Sequence, residues 1–285
     1  MSIDAHLSQA LDITSGVPQG SILGSLMFII FINDLPLHVK KANLCIYADD
    51  TTQSAAGCSI EEVQETLQEE LTLITNWATN NKMALNKTKS MLICSKPKQH
   101  QLNKEKKTIQ LLIDGNSVEN VSLVKLLGLH LDSNLSWDVH VENTCKKIRK
   151  RLGLLKRSKK LLTRQARVTF YKAIIQPVMD YGACVWGDTA VKHADAMPLL
   201  QKRAARIITD AAWDAPSEVI FKELNIIPFK ERVARMKAKM VFKALKRLAP
   251  AYISEEFTLF SQIHTRNTRY SSDHLILPKV KKLLC

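Results

Sequence analysis

Leu44-Cys45-Ile46-Tyr47-Ala48-Asp49-Asp50-Thr51-Thr52-Gln53-Ser54 is the stretch on which the fold turns. A short apolar run ends in two adjacent carboxylates, and a polar run rich in β-branched residues follows. That order predicts a strand, a tight acidic turn and a return strand. Carboxylates carried on such a turn are oxygen donors suited to a hard cation such as Mg²⁺. An isolated Asp-Asp pair is equally the mark of a solvated turn, so the surroundings of Asp49 and Asp50 have to decide between the two.

About thirty residues upstream stands Ser15-Gly16-Val17-Pro18-Gln19-Gly20-Ser21-Ile22-Leu23-Gly24, and Asn33-Asp34-Leu35-Pro36 lies between the two segments. In this order and spacing the chain resembles the reverse transcriptases of LINE-type (non-LTR) retrotransposons. Ser25 departs from the pattern, since the family usually has proline there. The resemblance implies an α+β fold: a truncated right-hand polymerase palm over residues 1–135, an all-helical thumb and downstream region over 136–250, and a basic tail over 251–285. It also implies RNA-directed DNA polymerase chemistry, with Asp49 and Asp50 as catalytic Mg²⁺ ligands. Gly16, Gln19, Gly20, Ser21 and Tyr47 would line the nucleotide and template site. The glycines would let backbone approach a ligand closely, or would only make the turn.

Leu85-Asn86-Lys87-Thr88-Lys89-Ser90 matches the family pattern that places a lysine near the triphosphate. Lys89 is therefore a candidate catalytic residue that assists pyrophosphate departure; the alternative is a solvated charge. Leu127-Gly128, inside Val124 to Asp132, matches the primer-grip core. From the residues alone it could also be an ordinary strand with a bulge at Gly128. The partners implied are an RNA template, a DNA primer and a deoxynucleoside triphosphate.

Charge is placed unevenly along the 285 residues, whose net charge is +14. Residues 1–95 carry 5 Lys and Arg against 10 Asp and Glu, whereas residues 96–172 carry 18 against 6. The stretch 143–172 holds 12 basic residues and no acidic one. Ile148, Leu152 and Leu155 keep an apolar stripe through it, so a helix packs on one side. Lys146, Lys147, Arg149, Lys150, Arg151, Lys156 and Arg157 crowd the other side. A run of like charge repels itself, and a phosphate backbone relieves that repulsion, so these residues are assigned to duplex binding. Phosphate contact rather than base reading is expected of them.

Other segments read locally. Ile22 to Asn33 is apolar nearly all round and is expected to be a largely buried helix. Ser59-Ile60-Glu61-Glu62 is a capping-box pattern, and Val63, Leu67, Leu71, Ile74 and Trp77 continue it at helical spacing to about residue 80. Residues 96–108 read as an exposed loop, and Ile109–Ile113 with Ser117–Val121 as a hairpin about Asp114-Gly115-Asn116. Strand alternation stops at Trp137. A basic amphipathic helix is expected at about 229–248, followed by a loosely ordered tail. Tyr181, Trp186 and Trp213 could stack on bases or pack helices together.

Six scattered cysteines form no C-x-x-C pair, which argues against zinc and disulfide frameworks and for a nuclear or cytoplasmic, non-secreted protein. The longest apolar run, Leu26 to Ile32, is too short to span a bilayer. The family's upstream aspartate strand and fingers have no counterpart in the fourteen residues before Ser15, and Asp4 and Asp12 lack the apolar surroundings of that strand. No endonuclease region is expected to precede, and the chain is expected to stop short at its C-terminus. The sequence thus predicts a reverse transcriptase segment that is inactive alone; the alternative is a non-catalytic nucleic-acid-binding module.

Overall fold

A computed structural model describes residues 16, 20–86, 88–94, 108–188, 193–257 and 275, together with the backbone of 2–3 and 6–7. The expected 96–108 loop, all but its last residue, and nearly all of the tail lie outside these residues, as does Gln19. The chain forms two compact units, one built mainly of residues 1–92 with 99–121, the other mainly of 122–285. Among the described residues the strands lie within the first 132, and those from 133 to 257 contain helices and turns but no strand.

The first unit begins with β1 (Ser2–Ile3) paired to β2 (His6–Leu7). Helices α1 (Ile22–Ile32) and α2 (Leu35–His38) follow. Next come β3 (Asn43–Tyr47) and β4 (Asp50–Ser54), paired antiparallel with Tyr47 opposite Asp50. Their residues alternate: Leu44 and Ile46 turn inward, while Asn43, Cys45 and Tyr47 are exposed. The long helix α3 (Ile60–Asn80) presents Ile74, Trp77 and Ala78 to the inward residues of β3 and to Ile32 and Leu35. The same helix uses Leu71, Leu67 and Val63 to cover Ile109, Leu111 and Val118.

The capping box forms at α3, with one shift. Ser59 Oγ accepts from the Glu62 amide at 3.1 Å, but the Glu62 carboxylate accepts from the Cys58 amide at 2.9 Å. Between 85 and 93 only β5 (Lys89–Ser90) forms. The expected 109–121 hairpin contracts to β6 (Leu112–Ile113) against β7 (Asn116–Ser117). Then β8 (Glu119–Asn120) pairs in parallel with β5.

Helix α1 is not the buried helix its composition predicts. Ile22 is 95% exposed and Ile30 68%, and Ile32 alone is buried. The apolar cluster made by α2, α3 and β3 takes only Phe28 and Ile32 from it, and Phe31 lies 5.9 Å from the Trp77 ring. A helix apolar on every side needs neighbours on every side, and this cluster supplies one.

The second unit opens with the hairpin β9 (Leu123–Leu126) and β10 (Leu129–Asp132). Helix α4 (Asp138–Ser158) follows, then α5 (Arg164–Phe170), a π turn (Tyr171–Ile175), α6 (Gln176–Asp180) and α7 (Ala183–Trp186). The series ends with α8 (Ala196–Thr209), α9 (Ser217–Glu223), α10 (Phe229–Leu245) and α11 (Ala251–Ser254). Its core gathers Ile148, Leu152 and Leu155 of α4 with Tyr171, Ile175, Met179, Trp186, Ile208, Phe229 and Val233. At its centre Gln201 is 1% exposed and fully bonded. Its amide nitrogen donates to Tyr171 Oη and to the Ile227 carbonyl, and its oxygen accepts from the Phe229 amide at 2.7 Å.

Candidate functional site

In the first unit, the turn between β3 and β4 is two residues long, Ala48 and Asp49, with Ala48 at a φ of 51°. Asp50 is the first residue of the return strand and shares a face with Tyr47, its cross-strand partner. Asp49, Asp50 and Tyr47 are all exposed. The base of the hairpin, opposite the tip, is held from behind. Glu70, an acid only 2% exposed on the apolar side of α3, accepts from the Lys40 and Lys41 amides at 3.0 and 2.8 Å, just before β3. Asp34 accepts from the Trp77 indole at 3.1 Å. The signal for Glu70 was its register: it stands one residue before Leu71, among apolar positions.

Two adjacent carboxylates match the donor preference of Mg²⁺. Among the described residues no third His, Cys, Asp or Glu joins them. Mg²⁺ held by one or two carboxylates fills its remaining positions with waters and substrate phosphates. The pair therefore fits such an ion as one side of a shared shell.

Gly16 and Gly20 both take left-handed φ values, 89° and 84°, and added Cβ atoms there would meet nothing within 4 Å. Their need for glycine is thus conformational. Ser21 is the N-cap of α1, without a side-chain cap bond. Lys89 lies on β5 with its ammonium 3.5 Å from the Glu119 carboxylate, both exposed. An exposed pair at that separation contributes little to stability.

In the second unit, Leu127 and Gly128 form the two-residue turn of the β9–β10 hairpin rather than a bulge. Both have positive φ, 45° and 83°, as a type I′ turn requires. For leucine this conformation costs about 1 kcal/mol. Tyr181 Oη donates to the Leu127 carbonyl at 2.6 Å. At the far end of the hairpin, Asp132 accepts from the amides of Asn134, Ser136 and Trp137. Burial opposes charge on that carboxyl, but these backbone donors outweigh it and hold its pKa below the usual carboxylate range. Asp132 thereby ties the hairpin to the first turn of α4.

Of the seven basic residues assigned to α4, Lys146, Lys147, Arg149, Lys150, Lys156 and Arg157 are exposed and have no ion-pair partner among the described residues. Arg151 instead donates to the Ile174 carbonyl of the π turn. The rest of the acid-free stretch is less bare than it reads. Lys159 and Arg167 pair with Asp210, and Arg164 with Glu223 at 2.6 Å. These acids come from α9 and the end of α8, which local sequence could not reveal. Trp186 is buried; Trp213 is 86% exposed.

Residues 2–131 match the family profile described as "Reverse transcriptase (RNA-dependent DNA polymerase)". The chain is 29% identical over 231 residues to "Probable RNA-directed DNA polymerase from transposon BS" of Drosophila melanogaster, covering 78% of this chain and 25% of that protein. It is 26% identical over 249 residues to "RNA-directed DNA polymerase from mobile element jockey" of the same fly, covering 84% and 26%. To the "Retrovirus-related Pol polyprotein from type-1 retrotransposable element R1 2" of Nasonia vitripennis it is 23% identical over 176 residues, covering 60% and 43%. Residues 2–131 belong to the reverse transcriptase family, of the non-LTR retrotransposon kind. The chain spans about a quarter of the length of the first two relatives. No solved structure matches it significantly. Among the described residues no helix is long and apolar enough to cross a membrane.

Proposed function

We propose that this chain is the primer–template-gripping part of an RNA-directed DNA polymerase of the non-LTR kind, with the first unit as a partial palm and the second as thumb and downstream region. The observation that carries the reading is α4: six exposed basic side chains without acidic partners among the described residues, anchored through Asp132 to the Leu127–Gly128 hairpin. Lys146, Lys147, Arg149, Lys150, Lys156 and Arg157 contact duplex phosphates, and the fork of Arg151 steadies the π turn beneath them. Backbone at Leu127–Gly128 holds the primer end.

Asp49 and Asp50 would hold Mg²⁺, which when bound stabilises charge on the reacting phosphoryl oxygens. Gly16 and Gly20 let backbone lie against the nucleotide and template, and Gln19, Ser21 and Tyr47 would contact the same ligands. Lys89, freed from its loose pair with Glu119, supplies positive charge or a proton to departing pyrophosphate. With two exposed carboxylates and no third among the described residues, the chain on its own binds Mg²⁺ weakly, and it grips primer–template without extending it.

The test is filter binding of an RNA–DNA hybrid, with and without Mg²⁺, against a protein partner surface probe such as acidic polyglutamate. The reading expects salt-sensitive hybrid binding that needs no Mg²⁺. Equal affinity for polyglutamate and hybrid would mean a generic polyanion surface and would overturn it.

A further inference from the structure

We propose that Tyr181 is the positioning residue of the Leu127–Gly128 turn, fixing the backbone that meets the primer terminus to the core of the helical unit. The proposal rests on the reading of that turn as the primer-holding element and adds a residue that reading does not contain.

The β9–β10 hairpin has four residues per strand and no third strand. Two-stranded hairpins of this size are marginal by themselves. Its turn also carries leucine where asparagine or glycine would relax into positive φ, and Leu127 is 38% exposed, so packing does not explain the choice. Something outside the hairpin has to hold this conformation.

With its neighbour Gly182, Tyr181, 54 positions later, does so at three points. Its hydroxyl donates to the Leu127 carbonyl at 2.6 Å. Its ring lies over Gly128, where an added Cβ would stand 3.3 Å from Tyr181 Cε1. The next residue, Gly182, has a φ of 63°, and a Cβ there would come within 3.0 Å of Leu129 Cδ2. The Tyr181-Gly182 corner and the Leu127-Gly128-Leu129 corner thus interlock, each needing its glycine. The corner is anchored in turn: the Trp186 indole donates to the Tyr181 carbonyl at 2.8 Å, and Trp186 is 2% exposed and stacked on Phe229.

A continuous line therefore runs from the buried core through Trp186 and Tyr181 to the carbonyl at the tip of the turn. Yet Tyr181 is 57% exposed, a poor use of an aromatic ring if its only task were core packing. Placement of a reacting terminus tolerates displacements of only a fraction of an ångström, and a short free hairpin does not hold its tip that well. Tyr181 touches the turn and not the reacting atoms, which makes it a positioning residue.

The experiment uses the full chain and a primer–template with 2-aminopurine as the 3′-terminal primer nucleotide. Terminal fluorescence reports placement of the primer end, and fluorescence anisotropy of a distal label reports duplex affinity. Tyr181→Phe keeps the ring and removes the hydroxyl; Gly128→Val distorts the turn itself. The proposal expects Tyr181→Phe to weaken the terminal signal by about fivefold, the effect of one hydrogen bond, with duplex affinity changed less than about twofold. Gly128→Val weakens the signal at least as much. A terminal signal lost in Gly128→Val but intact in Tyr181→Phe would overturn the positioning role while leaving the reading of the turn standing. A signal absent in the parent chain, or unmoved by either variant, would overturn that reading and the proposal with it. Duplex affinity falling in step with the signal in Tyr181→Phe would make the residue a general structural support and also overturn it.

Discussion

Replacing Lys146, Lys150 and Arg157 together by alanine tests how the second unit holds nucleic acid. These three positions follow one ridge of α4 directly opposite the buried stripe Ile148, Leu152 and Leu155, over about 16 Å of helix at 1.5 Å per residue. The structure leaves six basic side chains on this helix exposed and without acidic partners among the described residues, since Arg151 is engaged with the Ile174 carbonyl. If each neutralises one phosphate, log affinity falls with log salt at a slope of about −5. Between 50 and 200 mM salt that is a loss of about 10³ in affinity. The triple variant keeps three contacts, so its slope is about −3 and its loss over the same range about 40-fold. Arg164→Ala is the matched control. Its guanidinium is already paired with Glu223 at 2.6 Å, and the slope should stay at the parent value. The assay is anisotropy titration of a labelled RNA–DNA hybrid at five salt concentrations, with thermal melts to verify folding. A triple variant with the parent slope would place the phosphate contacts elsewhere. A flat response in the parent chain would refute phosphate-dominated binding altogether.

Three further outcomes follow from named contacts. Gln201→Leu leaves the Phe229 amide and the Ile227 carbonyl unsatisfied in the core and removes one partner of Tyr171 Oη, and should cost about 3 kcal/mol, read as a lower urea midpoint. Gly153 sits mid-helix, exposed, with nothing within 4 Å of an added Cβ; Gly153→Ala should stabilise by about 1 kcal/mol, and a lower midpoint would contradict this. His140 is buried and pushed down to about 4, first by burial and then by His130 and Lys147. It is neutral in the fold, its Nδ1 accepting from the His130 amide at 3.2 Å. The unfolded chain binds that proton more readily, near pH 6.5, so the contribution is present above that pH. It is lost as pH falls from about 6.5 to about 4, to a total on the order of 3 kcal/mol. His140→Gln should flatten the pH dependence of the urea midpoint across that window, and an unchanged profile would show that another group titrates there.

What the sequence made legible was local. The Tyr47–Asp50 hairpin, the capped start of α3 at Ser59 and the apolar stripe of α4 each depend on residues a few positions apart, and each formed where expected. What stayed hidden was complementarity between distant segments. The acid-free run 143–172 is partly neutralised by Asp210 and Glu223. The turn at Leu127 is completed by a hydroxyl 54 residues away. Glu70 stood out as an acid on an apolar helix face, but its partners are backbone amides, which leave no trace in residue types. Helix α1 misled for a related reason: all-round apolarity states that a helix needs cover but not which segment supplies it. At the Asp49-Asp50 tip the sequence identified the donors, whereas the hold of α3 on the base of their hairpin needed the fold.

Primer extension on an RNA template with Mg²⁺ and all four deoxynucleoside triphosphates tests the central claim most directly, with bound primer–template measured in the same reactions for the parent chain and Asp49→Ala. The account predicts that both proteins retain the primer–template equally and that neither extends it. Extension that disappears in Asp49→Ala would show that Asp49 and Asp50 complete a working site in this chain and would contradict the inactivity proposed for it; failure of the parent chain to retain primer–template at all would contradict the gripping role itself.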